Sequence, residues 1–351
     1  MKKFIYLALV LLMTACNRGA NIKSNQIILT FDDSIDEWSV KGSIESRASK
    51  FGFGPLKSID VKGQTVTLSF ENDVTEIGED AFRDYDFMTS INIPNSVTRI
   101  GNGAFRNCHS LTSIDIPNSV TRIGDGAFWN CISLTSIKIP NSVTTIGELA
   151  FYDCRSLTSI KIPNSVTEIG EGAFHDCSSL ISIKIPNSVT EIGMGAFAYC
   201  ESLTSIKIPN SVTYLGWGAF AYCESLTSFS GKYASSDGRC LVLNGELLGF
   251  AGAGLSEYSI PNSVTEIGEG AFWGCRSLTS IKIPNSVTRI GEEAFHECTS
   301  LTSIDIPHSV KEIGINAFEY CWSLETAKIP KKFSGRDDIF SVTMPVKIQY
   351  Y

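Results

Sequence analysis

Hydrophobic and polar positions in this chain alternate briefly, stop at a proline, and then recur at wider spacing. Between Leu157 and Cys177 the apolar positions are Leu157, Ile160, Ile162, Val166, Ile169, Ala173, Phe174 and Cys177. Ile160 and Ile162 alternate with Ser159 and Lys161, the period-two pattern of a short strand with one buried face. Pro163 ends that strand, because it cannot donate to a ladder and fixes its own φ. Beyond it, Val166, Ile169, Ala173, Phe174 and Cys177 face inward at spacings of three to five. Gly170 and Gly172 interrupt any regular helix, so this half predicts turns and a short 3₁₀ or one-turn helix.

The whole phrase returns every 23 residues. Pro94, Pro117, Pro140, Pro163, Pro186 and Pro209 keep that step, and Pro261, Pro284, Pro307 and Pro330 resume it. Ten of the 12 prolines therefore stand in one register. A fixed period of this length means stacked supersecondary units. One unit buries too little apolar surface to be stable, whereas a stack buries a continuous column of Ile, Val, Phe and Leu.

The pattern LxxIxI followed by proline is a variant of the leucine-rich repeat. More narrowly, IPNSVTEIGEGAFxxCxSLTSI resembles the BspA-like subfamily of bacterial leucine-rich-repeat surface proteins, over roughly residues 74–330. The resemblance implies an α/β-type repeat solenoid: a curved right-handed coil with a parallel sheet on its concave face and turns or short helices on its convex face. It also implies exposure at the cell surface and, for some members, attachment to host matrix proteins or other cells.

Two interruptions and two ends divide the chain. Pro209 and Pro261 are 52 residues apart, two repeats plus six, and the interval holds CLVLNGELLGF. Its Asn-Gly pair between apolar runs predicts a β-hairpin within an insertion at about 230–258, which also looks like a family feature. Leu56, Ile59 and Val61 begin a first, stretched coil, so the solenoid is expected over 56–330. Residues 27–55 match no repeat and are expected to cap the first edge, with 331–351 capping the other.

The N-terminus reads as a secretory signal over 1–15: two lysines, an apolar run from Phe4 to Met13, then small residues before Cys16. Met13-Thr14-Ala15-Cys16 resembles a bacterial lipobox, which makes Cys16 the lipidated residue and 16–26 a tether. Two or more acyl chains there anchor a protein stably, whereas one binds marginally. The expected location is the bacterial outer membrane or cell surface, with the membrane engaged through that anchor. No later apolar run approaches the roughly 20 residues of a spanning helix.

The chain has 37 acidic against 29 basic residues and no block of like charge. That balance argues against nucleic acid as a partner, which requires a basic footprint. Nine cysteines share one repeat slot: Cys108, Cys131, Cys154, Cys177, Cys200, Cys223, Cys275, Cys298 and Cys321. Equivalent residues of stacked coils point the same way, whereas a disulfide needs facing Cβ vectors, so these read as small buried hydrophobes. A stacked disulfide or two is the alternative. No CxxC pair suggests zinc, and no metal or other cofactor is expected. His109, His175, His296 and His308 read as exposed turn residues at different repeat positions, without a catalytic grouping. No enzyme is expected.

Two surface features remain. Lys138, Lys161, Lys184 and Lys207 occupy one outward column of the strands, a ladder on the order of 15 Å long at the spacing of stacked strands. Such a stripe on an acidic protein steers anionic partners. Tyr199, Tyr214, Trp217 and Tyr222 stand where other coils carry acidic or amide residues, and exposed aromatics are enriched at interface hot spots. The combined expectation is a lipoprotein whose repeat surface binds host matrix or cell-surface proteins or acidic glycans. An envelope scaffold binding other bacterial proteins is the alternative.

Overall fold

The computed structural model describes residues 22–32, 41–45, 51, 54–340 and 346–351. The signal segment, Cys16 and most of the expected tether lie outside the described residues. Strands β1 (Gln26–Phe31), β2 (Leu56–Lys62) and β3 (Thr65–Phe70) open the fold, and all pair antiparallel in the order β1-β3-β2. β1 buries Ile27, Leu29 and Phe31 and pairs on its other edge, again antiparallel, with Met88–Asn92, the first strand of the repeating sheet.

This corrects two expected boundaries. Leu56 to Val61 does not start a coil: Gly63, at φ +59°, reverses the chain, so β2 folds back on β3 and belongs to the cap. The fold also begins inside the expected tether. The Ser24 carbonyl accepts the Val74 N–H at 2.8 Å, and the Asn25 amide donates to the Phe70 carbonyl at 2.9 Å.

From Glu76 onward each coil has three laterally bonded faces. The first is a parallel sheet of short strands such as Ser136–Lys138, Ser159–Lys161 and Ser182–Lys184, stacked in register. The second is a parallel sheet of two-residue strands, Thr145–Ile146 and Glu168–Ile169 among them. The third, spanning the IGxxAFxxC phrase, consists of hydrogen-bonded turns, one of the two forms expected for it. Each of its coils holds residues in the left-handed region, for example Gly126 and Asn130 at φ +57° and +59°. That backbone cannot propagate a helix. Its N–H groups bond sideways instead: Gly103 to Asp125, Phe105 to Ala127 and Asn107 to Trp129, all at 2.8 Å.

The recurring words of the sequence are inter-coil fasteners. In nine coils the proline carbonyl accepts the N–H of the valine three residues on, closing a turn, as in Pro163 and Val166 at 3.1 Å. The serine of that turn donates its hydroxyl to the valine carbonyl of the coil before, as Ser188 does to Val166 at 2.6 Å. Gly147 is required for another reason: a Cβ there would lie 2.7 Å from the Asp125 backbone nitrogen of the coil below.

Inside runs a ladder of phenylalanines, Phe51, Phe82, Phe105, Phe128, Phe151, Phe174, Phe197 and Phe220, with ring centroids 5.3–5.7 Å apart. Beside it stands the cysteine column, composed of free thiols. Each buried thiol donates to the phenylalanine carbonyl of the preceding coil, as Cys154 does to Phe128 at 3.2 Å. That carbonyl also takes the backbone N–H of its own coil's cysteine, Cys131, at 3.2 Å. A small apolar side chain with one weak donor satisfies this position.

The register break forms a seam. Cys240–Leu243 and Glu246–Phe250 make the expected antiparallel hairpin around Asn244-Gly245, both at positive φ. There the second sheet and the phenylalanine ladder stop and restart, and the first sheet, already interrupted between Ser182–Lys184 and Ser205–Ile208, begins again at Glu257–Ser259. This leaves two main hydrophobic clusters and a small one at Ala198, Ala221 and Tyr222 against which Trp273 packs. On the turn face the coil of Cys223 meets that of Cys275 through one backbone bond, Tyr222 N–H to Trp273 O at 3.3 Å. Arg276 ties the same join, bonding Glu224 at 3.0 Å on one side and Glu297 at 2.9 Å on the other. After Pro330, 3₁₀ turns at Lys331–Phe333 and Asp337–Ile339 lead to a last strand, Lys347–Tyr350, paired parallel to Thr326–Ile329.

Candidate binding surfaces

Lys138, Lys161 and Lys184 stack in strict register in one continuous sheet, their neighbours Ile137, Ile160 and Ile183 buried beneath. The alternation that buries the isoleucines forces the lysines into solvent. Lys207 follows in the column, but its strand, Ser205–Ile208, pairs with Ser228–Gly231 instead, placing Lys207 opposite Ser230. Among the described ion pairs none involves any of these four lysines. The arginines of the neighbouring sheet behave differently: Arg99 bonds Glu76 at 2.5 Å and Arg289 bonds Glu266 at 2.8 Å. At its far end the stripe opens into a cleft of about 540 Å³ lined by Asn187, Lys207, Asn210 and Lys232. Lys232 escaped the sequence reading because it stands 25 residues after Lys207, two out of register.

The aromatic residues divide. Tyr214 is 51% exposed but lies on the second sheet, opposite Glu191. Trp217, 40% exposed, stacks on Trp273 with centroids 5.8 Å apart. Tyr222 is not a surface residue: it is only 3% exposed, its ring 4.1 Å from that of Tyr199. Both tyrosines sit at left-handed φ, +58° and +56°, an unusual conformation for bulky residues, and their mutual stacking offsets it. Burial raises the hydroxyl pKa of each above the usual tyrosine value.

These rings belong to a longer ladder along the turn face. It runs through Trp129, Tyr152, His175, Tyr199, Tyr222, Trp273, His296 and Tyr320, with successive centroids 4.1–5.8 Å apart. The Arg106 guanidinium caps it, 3.9 Å over the Trp129 ring. Tyr152 with His175 and Tyr199 with Tyr222 stack face to face while the other pairs are tilted or edge to face, and these contacts join each coil to the next. Tyr320 at its end is exposed, and beside the ladder the exposed Trp217 walls a groove of about 190 Å³ together with His175, Met194 and Tyr199.

The histidines also differ from expectation. His175 and His296 share one slot, AFHDC and AFHEC, the position held elsewhere by Trp129, Tyr152 and Trp273. His296 is buried rather than exposed, and His175 is half-buried with its imidazole pushed towards neutrality by desolvation. Comparing the two residues after each AF pair down the repeats would have exposed the ladder, since Tyr199, Tyr222 and Tyr320 stand one place later than the other rings.

A 23-residue repeat, two parallel sheets, a turn face and an inward column of Ile, Phe and Cys together define a leucine-rich-repeat β-solenoid. The chain belongs to the BspA-type leucine-rich-repeat family: the BspA type leucine rich repeat region matches residues 62–154, 121–235 and 249–347, in six copies. It is similar to a leucine rich cell surface protein of Faecalibacterium prausnitzii A2-165, with 30% identity, 84% of this chain and 86% of that one covered, and a TM-score of 0.60. A leucine-rich repeat protein of Bacteroides ovatus shows 27% identity over 84% of this chain and 90% of its own, at a TM-score of 0.40. The leucine rich repeat protein of T. pallidum shows 25% identity over 67% and 83%, at 0.39. No curated protein matches the chain. No helix among the described residues is long and apolar enough to cross a membrane.

Proposed function

We propose that this protein is a surface lipoprotein, held at the bacterial outer membrane by acyl chains on Cys16, whose solenoid attaches to host or neighbouring-cell proteins or acidic glycans without catalysing a reaction. The observation that carries this reading is the lysine column. Like charges directly opposite on adjacent strands are destabilising, yet three lysines are kept in register with no carboxylate paired to them. On a chain with a net charge of −8, such a stripe concentrates the attraction for an anionic partner on one face. The likeness to the Faecalibacterium cell surface protein supports the location, and the lipobox-like Met13 to Cys16 supports the anchor.

The test is binding of residues 17–351 to immobilised matrix proteins and acidic glycans at low and high salt. A variant carrying Lys138→Ser, Lys161→Ser, Lys184→Ser and Lys207→Ser should lose the salt-sensitive binding, while Tyr214→Ala with Trp217→Ala should retain it. Retention in the lysine variant would move the site to the Trp217 groove. No binding by the native chain, together with resistance to protease on intact cells, would replace the adhesive reading with an envelope scaffold.

A further inference from the structure

We propose that Glu293, His296 and Glu319 form a divalent transition-metal site on the turn face of the last coils. One ligand atom from each residue lies within 4.8 Å of the others. His296 Nε2 and a Glu319 carboxylate oxygen are 3.6 Å apart. That separation is too long for a good hydrogen bond. It is the spacing expected of two ligands sharing one ion, since donors about 2.0–2.1 Å from a tetrahedral zinc stand about 3.4 Å apart.

The imidazole is nearly enclosed: His296 is only 8% exposed, its Nε2 faces Glu319 from beyond good hydrogen-bond distance, and its shielded Nδ1, on the other side of the ring, has no partner. Trp273 and Tyr320 approach it edge to face at 5.1 and 5.0 Å, fixing the ring without satisfying its nitrogens. Buried polar groups are ordinarily paired, so an imidazole held rigidly beside two carboxylates has the character of an unfilled ligand set.

The two glutamates, unlike His296, depart from what stands in the same slots around His175. Glu293 occupies, at φ +52°, the place that Gly172, Gly195 and Gly270 hold in other coils. Glu319 stands where the coil after His175 has Ala198. His175 is therefore an internal control: it too has an unpartnered Nδ1, but Gly172 and Ala198 take the places of the two glutamates. Imidazole and carboxylate donors suit zinc, and a site with three protein ligands leaves a position for water.

The experiment is titration of the purified full-length chain with Co²⁺ and Zn²⁺, followed by visible absorption and calorimetry. The expected result is one equivalent bound with the weak visible bands of nitrogen and oxygen ligation, and a melting temperature that rises with zinc concentration. Glu319→Gln and His296→Gln should each weaken zinc binding by about 100-fold or more, at least the loss seen on removing outer-shell partners. His175→Gln should leave it unchanged. Circular dichroism of each variant separates lost ligation from lost folding, and the near-isosteric Glu319→Gln keeps the test valid if the histidine variant unfolds. Binding equal in native and Glu319→Gln chains, no binding at all, or a near-ultraviolet thiolate charge-transfer band that reassigns the ion to cysteine would each overturn the site.

Discussion

Replacing Phe151 with alanine tests whether the seam divides the solenoid into two energetic units. Phe151 is fully buried, its ring 5.3 Å from Phe128 and 5.4 Å from Phe174, inclined 4° to each. Phe→Ala changes in cores cost about 3–5 kcal/mol, more where the site cannot collapse. Collapse is restricted here, because the backbone on either side is pinned by Phe128 N–H to Ala150 O and Phe151 N–H to Ala173 O, both 2.8 Å. A cost of about 4 kcal/mol is therefore expected, including two lost ring pairs of about 0.5–1.5 kcal/mol each. In a nearest-neighbour stack that loss stays local. Hydrogen exchange followed by mass spectrometry should show the coils from Ile123 to Leu180 opening about 700-fold more readily, each 1.4 kcal/mol being tenfold. The coils from Ile267 to Ile329 should change by less than about threefold, because the main core cluster, both sheets and the phenylalanine ladder are interrupted between them and only the turn-face contacts of Tyr222 with Trp273 and of Arg276 with Glu224 cross the join. Equal loss of protection in both halves would refute the reasoning and make the hairpin coil a continuous link.

Two further outcomes follow from the thiols and the hairpin. Burial pushes Cys131, Cys177 and Cys200 well above the ordinary thiol value, and Cys223 and Cys240 to about 12, so these hold no appreciable thiolate at pH 8. Cys275 alone among the described column cysteines is only half-buried, and it lines a cleft of about 550 Å³ at the seam. Peptide mapping after brief alkylation of the native chain should find Cys275 labelled first, and uniform labelling would show that the column opens. Burial works to raise Asp237, but hydrogen bonds from the Ser235 hydroxyl, the Arg239 N–H and the Tyr258 hydroxyl outweigh it and hold the carboxyl below its ordinary 3.8. A depressed folded value stabilises above pH 3.8 and is lost as pH falls through the lower folded value. Amide protection across Cys240–Phe250 should accordingly fall below about pH 4. Asp237→Asn should weaken it at neutral pH and remove that acid dependence; a variant with unchanged acid sensitivity would count against Asp237 as its source.

Most of the fold follows from a few local rules repeated in the chain. The Ser-Ile-Lys alternation determined which residues enter the core and placed the lysines outside. Proline set where each strand stops, and Asn244-Gly245 marked the hairpin. These features are legible because they depend on residues adjacent in sequence, and the period of 23 superposes them. Other features depend on residues about one coil apart, and only stacking decides them. Whether Leu56 to Val61 opened a coil or closed a cap turned on its antiparallel partner β3. Tyr222 looked like a surface residue until the neighbouring coil placed Tyr199 over it on one side and Trp273 on the other. His175 and His296 became ladder members through their slot, and His296 approached Glu293 and Glu319 because left-handed turns bring adjacent coils together edge to edge. Pattern within a coil specifies inside and outside. Which side chain meets which across coils is decided by the lateral hydrogen bonds that set the register, and those form only in the stacked structure.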